Sequence, residues 1–135
     1  MTTDPYQQFT QDMRVRALAA LNTMRTALIA AGIAANRCTV TEEDTTNLRF
    51  RLDATRGART LVTYFELTPV GVINGQMALI VTLYVEGNGA EITHSYTVGA
   101  PLSYIDGLAA LADKLTAAEQ TIGEVTVKAR AFLQV

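Results

Sequence analysis

The chain has 135 residues, 49% of them hydrophobic and 18% charged, and its 11 basic and 13 acidic residues leave a formal net charge of −2. That length corresponds to one domain over residues 1–135, large enough to bury roughly two thirds of its unfolded surface without a disulfide or a metal. The apolar content excludes a disordered or collagen-like chain, and the near-balance of charge excludes a protein built to coat nucleic acid.

The N-terminal residues, Met1-Thr2-Thr3-Asp4-Pro5, show no basic region followed by an apolar stretch, so no signal peptide is expected. Apolar runs are only a few residues long, short of the ~20 that cross a bilayer, and no membrane partner is expected. Cys38 is the single cysteine, which rules out an intramolecular disulfide and a CxxC motif. A cytoplasmic location follows as the default expectation.

The first predicted element is a helix over about residues 5–31. Asp4 stands at the N-cap position, Pro5 sits where its missing N–H costs nothing, and Gln7 completes a start resembling a capping box. Phe9, Met13, Ala17, Ala20, Met24, Leu28 and Ala31 recur at spacings of three and four, and Leu18, Leu21 and Ile29 widen the stripe. Gly32 is a natural C-cap, and residues 33–46 read as an irregular connection with an acidic patch at Glu42, Glu43 and Asp44.

The period then changes to two. Strands are predicted over about residues 47–53, 60–68, 76–86 and 91–98, rich in β-branched and aromatic residues and divided by glycine-bearing turns. Arg56-Gly57 and Asn88-Gly89 suit two-residue hairpin turns, and residues 69–75 read as a longer connection. Short links favour an antiparallel meander over a parallel sheet. A turn at Asn88-Gly89 sets Val85 opposite Ile92, Leu83 opposite His94 and Val81 opposite Tyr96 on one apolar face, and Tyr84 opposite Thr93 and Glu86 opposite Glu91 on the polar one. In the preceding hairpin Phe50, Leu52, Leu61 and Phe65 share the inner face, and Arg49, Arg51, Val62, Tyr64 and Glu66 the outer.

A last helix is predicted over about residues 104–133, opened by a capping-box pattern at Ser103-Tyr104-Ile105-Asp106. Leu108, Leu111, Leu115, Ala118, Ile122, Val125, Ala129 and Phe132 form a heptad a/d seam, and Gly123 marks the place where it would break. Thirty helical residues span about 45 Å and nine strand residues about 30 Å, so an unbroken helix overhangs its sheet by roughly 15 Å. Either the helix breaks and folds back, or its end meets a partner. The partner reading makes Ile122, Val125, Ala129 and Phe132 a homodimer seam.

The expected fold is therefore α+β, in the order α-β-β-β-β-α, a four-stranded antiparallel meander with both terminal helices on one face. No phosphate loop, nucleophile elbow, metalloprotease motif or EF-hand loop is found, so no catalytic residue, cofactor or metal is assigned. His94 is the only histidine, placed on the inner face with no acid to orient it, and Cys38 has only His94 as a conceivable base. Arg49, Arg51, Arg56 and Arg59 form the densest basic cluster, and Arg49, Arg51, Tyr64 and Tyr84 are candidate contacts on the outer sheet face.

Three functional readings follow. The first is a non-enzymatic protein-binding module (an adaptor, inhibitor, chaperone or assembly factor) acting as a homodimer through its C-terminal seam. The second is a ligand-binding or enzymatic domain with a pocket between sheet and helices near His94 and Tyr96. The third is a single-stranded nucleic-acid binder that stacks bases on the Arg/Tyr face, disfavoured by the acids that dilute it.

Overall fold

The computed structural model describes residues 5–44, 48–73, 76–97, 113 and 116–135. Its elements are α1 (Pro5–Ala31), a short 3₁₀ turn (Ala35–Arg37), β1 (Cys38–Asp44), β2 (Arg49–Arg56), β3 (Arg59–Ile73), β4 (Gln76–Gly87), β5 (Ala90–Thr97) and α2 (Ile122–Leu133). The strands form one antiparallel sheet in the order β1-β2-β3-β4-β5. The α+β class and the antiparallel meander stand; the described residues hold five strands, not four.

The additional strand is β1, in residues expected to be irregular. Thr39, Val40 and Thr41 are β-branched and pair with Asp53, Leu52 and Arg51. As an edge strand β1 needs only one apolar face and carries charge at its end, so its hydrophobic alternation is weak. Residues 69–73, read as part of a connection, continue β3. Proline cannot donate to a ladder, but the register shifts between Pro69 and Gly71, and the strand resumes beyond that irregularity.

The core lies between the sheet and the helices. Phe50, Leu52, Ala54, Leu61, Phe65, Leu83 and Val85 are buried on the inner face, with Met13, Ala17, Leu21, Met24 and Leu28 of α1 above them. Helix α1 lies over β1 to β3, α2 over β3 to β5, and the two helices touch. The expected core positions Leu18 and Ile92 are half-buried against this cluster. The capping box at 103–106, the seam residues Leu108, Leu111 and Leu115, and the turn at Asn74-Gly75 lie outside the described residues, as do the side chains of Leu67, Leu79, Val81, His94 and Tyr96.

Residues 116–120 are helical, the helix is interrupted at Thr121, and α2 follows. Thr121 donates its N–H to the Ala118 carbonyl at 3.2 Å, and its hydroxyl bonds the same oxygen at 2.8 Å, which closes the turn locally. The break thus falls two residues before Gly123, and α2 turns its apolar stripe onto its own sheet: Val125, Ala129 and Leu133 are buried in the core. Across the helices, Arg16 grips Glu119 through both carboxylate oxygens and bonds the Thr116 hydroxyl at 2.8 Å.

Two arginines hold the far end of α2. Arg56 donates to the carbonyls of Leu133 and Gln134, and Arg59 to that of Phe132 at 3.0 Å. Those carbonyls have no partner inside the helix and sit at the negative end of its dipole, so guanidinium groups satisfy both demands.

Candidate functional site

With both helices on one side, the other face of the sheet is covered by none of the described elements. The β2–β3 hairpin turns at Gly57, whose φ of +61° suits glycine, and pairs Arg49 with Glu66, Arg51 with Tyr64 and Asp53 with Val62. These residues lie on the outer face as expected. β3 and β4 then pair Tyr64 with Tyr84 and Val62 with Glu86. Arg51, Tyr64 and Tyr84 therefore form one row across three strands.

The rings of Tyr64 and Tyr84 stack with centroids 6.4 Å apart and planes inclined by 26°. The Arg49 guanidinium carbon lies 4.2 Å from the Tyr64 ring centre and that of Arg51 lies 5.6 Å from it. All four predicted outer-face residues are thus brought together. Arg56 and Arg59 are not part of this group, because they hold the end of α2.

Acids surround the two outer-face arginines. Arg49 Nε stands 3.2 Å from Glu66 and 3.4 Å from Glu43. Arg51 forms a forked hydrogen bond with Asp53, at 2.8 Å for its closest contacts, which raises the guanidinium pKa further. The Tyr84 hydroxyl also has a raised pKa, first through desolvation, then through its hydrogen bond to Glu86 and the charge of Glu86 and Glu91. It therefore stays protonated at neutral pH beside these carboxylates.

Two expectations need correction. Arg56 pairs with Arg59, so the first hairpin turns at Gly57-Ala58 rather than Arg56-Gly57, which moves the pairs by one residue on each arm and leaves the faces unchanged. The other concerns β5. The Asn88-Gly89 turn is as expected, with φ of +50° and +80°, and Glu86 pairs with Glu91. Beyond it Val85 pairs with Thr93 rather than Ile92, so Ile92 is the extra residue of a bulge. His94 then stands opposite Tyr84, not Leu83, and Tyr96 opposite Thr82, not Val81. Both fall on outer-face register rows, because strict alternation counts one residue too few. A pocket between sheet and helices near His94 and Tyr96 loses its register basis.

The described cavities lie elsewhere. One of about 390 Å³ is lined by Gly32, Ile33, Ala34, Arg37, Thr55, Arg56 and Gly57. Another of about 250 Å³ borders Val127, Arg130, Ala131 and Val135 on α2 and the chain end. Cys38 is buried, and burial raises its thiol pKa against the opposing charge of Arg25. Among the described residues no group of three or more His, Cys, Asp or Glu side chains could hold a metal, and no helix is long and apolar enough to cross a membrane.

Of the residues assigned to a homodimer seam, Val125 and Ala129 are buried within the chain, and Ile122 and Phe132 pack half-buried against its core. Comparison with protein-family models, curated proteins and solved structures gave no significant match to this chain.

Proposed function

We propose that the chain is a non-enzymatic protein-binding module whose working surface is the sheet face that none of the described elements covers. The observation that carries this reading is the preorganised Tyr64–Tyr84 pair. It is flanked by Arg49 and Arg51 on the face opposite both helices. Aromatic and arginine side chains dominate the energetics of protein interfaces, and here neighbouring side chains hold them in place before any partner arrives. The deep, poorly ionised Cys38 thiol gives no support to a nucleophilic enzyme.

Self-association through Ile122, Val125, Ala129 and Phe132 is a weaker form of the same reading, since two of these are already committed to the chain's own core. A single buried cysteine suits a reducing compartment, and a cytoplasmic setting is part of the proposal.

A photo-crosslinking amino acid at Val62, between Asp53 and Glu86 on the outer face, tests the reading against one at Val127, which is 66% exposed on α2. In extract of the source cells, discrete protein adducts are expected from Val62 and not from Val127. Adducts confined to Val127, or none from either position, would overturn it.

A further inference from the structure

We infer that the hollow beside the β2–β3 turn binds a small phosphate monoester, at a site independent of the outer-face group. Its shape follows from the path of the chain. β1 begins at Cys38, opposite Ala54, so Thr55, Arg56 and Gly57 run on past the end of the edge strand. The 3₁₀ turn packs against β2 there and supplies the other wall. Gly32 and Gly57, with φ of +124° and +61°, face empty space where a side chain would begin. The hollow measures about 390 Å³, within the range of about 300–1,000 Å³ usual for small-ligand sites.

Its charge selects an anion. The ionisable groups among the described lining residues are Arg37 and Arg56, and no described acid lines it, although the chain as a whole carries −2. Backbone carbonyls at the nearby helix ends would oppose an anion, but they are already bonded. Leu28 and Ile29 accept from the N–H groups of Ile33 and Gly32 at 3.0 and 3.1 Å. The Cys38 and Ala35 carbonyls accept from Arg25 at 2.8 and 3.3 Å, and those of Leu133 and Gln134 from Arg56.

The two cations are held differently. Arg56 is anchored through Nη1, and a guanidinium carries further donors on Nε and Nη2. The Arg37 side chain is exposed and has no hydrogen bond or ion pair among the described residues, while Arg25 fixes the backbone of the turn that carries it. A phosphate monoester has two charges and three oxygens turned in different directions, so it can meet guanidiniums arriving from different elements; a carboxylate presents a single edge. Ala34 and the two glycines leave room for the organic part of the ester.

The test is isothermal titration calorimetry of the intact chain at low ionic strength. The probes are ribose 5-phosphate, inorganic phosphate, succinate and a short phosphoserine peptide. Ribose 5-phosphate is expected to bind saturably, more tightly than the other three, and to raise the melting temperature. Arg37→Gln should weaken it about tenfold, equivalent to about 1.4 kcal/mol, and leave the melting temperature of the unliganded chain unchanged, because no described contact is lost. Ala34→Glu, at an exposed position, should abolish binding by placing a carboxylate in the lining. Arg130→Gln removes an exposed arginine of α2 outside this hollow and should leave the affinity as it was.

No saturable binding of ribose 5-phosphate, or equal affinity in Arg37→Gln, would overturn the inference. So would equal weakening by Arg130→Gln, which would reduce the effect to general attraction. Tighter binding of inorganic phosphate, succinate or the phosphoserine peptide than of ribose 5-phosphate would overturn the assigned ligand class. None of these outcomes bears on adducts formed from Val62, which test the outer face separately.

Discussion

Gly87→Ala should destabilise the fold although it adds one methyl group to a strand with ordinary backbone geometry. Gly87 is buried at the end of β4, paired with Leu61 and Ala90. A Cβ there would stand 2.6 Å from Ile92 Cδ1, 2.6 Å from Phe132 Cε2 and 2.7 Å from Phe132 Cζ. Contacts that short are repulsive, so a side chain must move. Phe132 is poorly placed to do so, since Arg59 lies 5.3 Å over its ring and bonds its carbonyl at 3.0 Å. Overpacking of this kind costs about 1–3 kcal/mol, and the smaller entropy of an unfolded alanine returns about 0.4–1 kcal/mol. The expected net loss is about 1–2 kcal/mol. At about 4 °C per kcal/mol for a chain of this size, the melting temperature should fall by about 4–8 °C. Thermal unfolding by circular dichroism measures it, with Phe132→Leu as the second arm of a double-mutant cycle. Shortening Phe132 should itself cost about 1 kcal/mol, but Gly87→Ala added to it should then cost less than about 0.5 kcal/mol. An unchanged melting temperature, or the same loss in both backgrounds, would refute the packing argument.

Four further outcomes follow from the described contacts. Arg59→Ala removes the donor to Phe132 and the contact with its ring, and should cost about 1–2 kcal/mol, with hydrogen exchange accelerated at the end of α2 before elsewhere. Thr63 is fully buried and its hydroxyl has no hydrogen-bond partner among the described residues, so Thr63→Val should stabilise the chain by about 1 kcal/mol in urea unfolding. Arg16→Ala breaks a part-buried but solvent-screened pair and should cost no more than about 1 kcal/mol, a loss that shrinks at high salt. The folded Cys38 thiol ionises at higher pH than the unfolded one; its contribution to stability is complete below about pH 8.5 and disappears as pH rises through the folded value. Stability of the parent relative to Cys38→Ala should therefore be constant at neutral pH and fall in alkali, and native labelling by a thiol reagent should be slow.

How much of this was legible depended on how strongly each residue pattern was tied to one backbone period. Phe50, Leu52, Leu61 and Phe65 alternate cleanly with Arg49, Arg51, Val62 and Tyr64, and a shift of the turn by one residue on each arm leaves the faces unchanged. The outer-face site was readable for that reason. The β1 strand was not, because Cys38-Thr39-Val40-Thr41 offers only Cys38 and Val40 as apolar signals and runs into three acids. Its β-branched character was the available cue. The roles of Arg56 and Arg59 were hidden for another reason: they depend on where α2 ends in space, and no local pattern in the hairpin reports the carbonyls of Phe132 and Leu133. The break at Thr121 fell within reach of the weak helix formers noted around Gly123, yet local propensity could not choose between a helix folded back on its sheet and one extended to a partner.

The bulge at Ile92 joins these threads. In strict alternation, Ile92, His94 and Tyr96 share one face, and a histidine would stand opposite Leu83 in the core row. Burying an imidazole there requires a hydrogen-bond partner that Phe65, Leu83 and Val85 cannot supply. One extra residue lifts that demand: Ile92 still packs against the buried cluster, close to Gly87, while His94 moves to the row of Arg51, Tyr64 and Tyr84, and Tyr96 to that of Arg49 and Glu66. The same irregularity thus closes the core under Phe132 and adds two more positions to the polar rows of the outer face. Deleting Ile92 should therefore remove the bulge while keeping Thr93 opposite Val85 and His94 opposite Tyr84, so the variant loses the packing of Ile92 against the core but not the outer rows. In urea unfolding it should cost clearly more than Ile92→Val, which keeps the bulge and should cost only about 1 kcal/mol; equal losses would refute the packing role of Ile92.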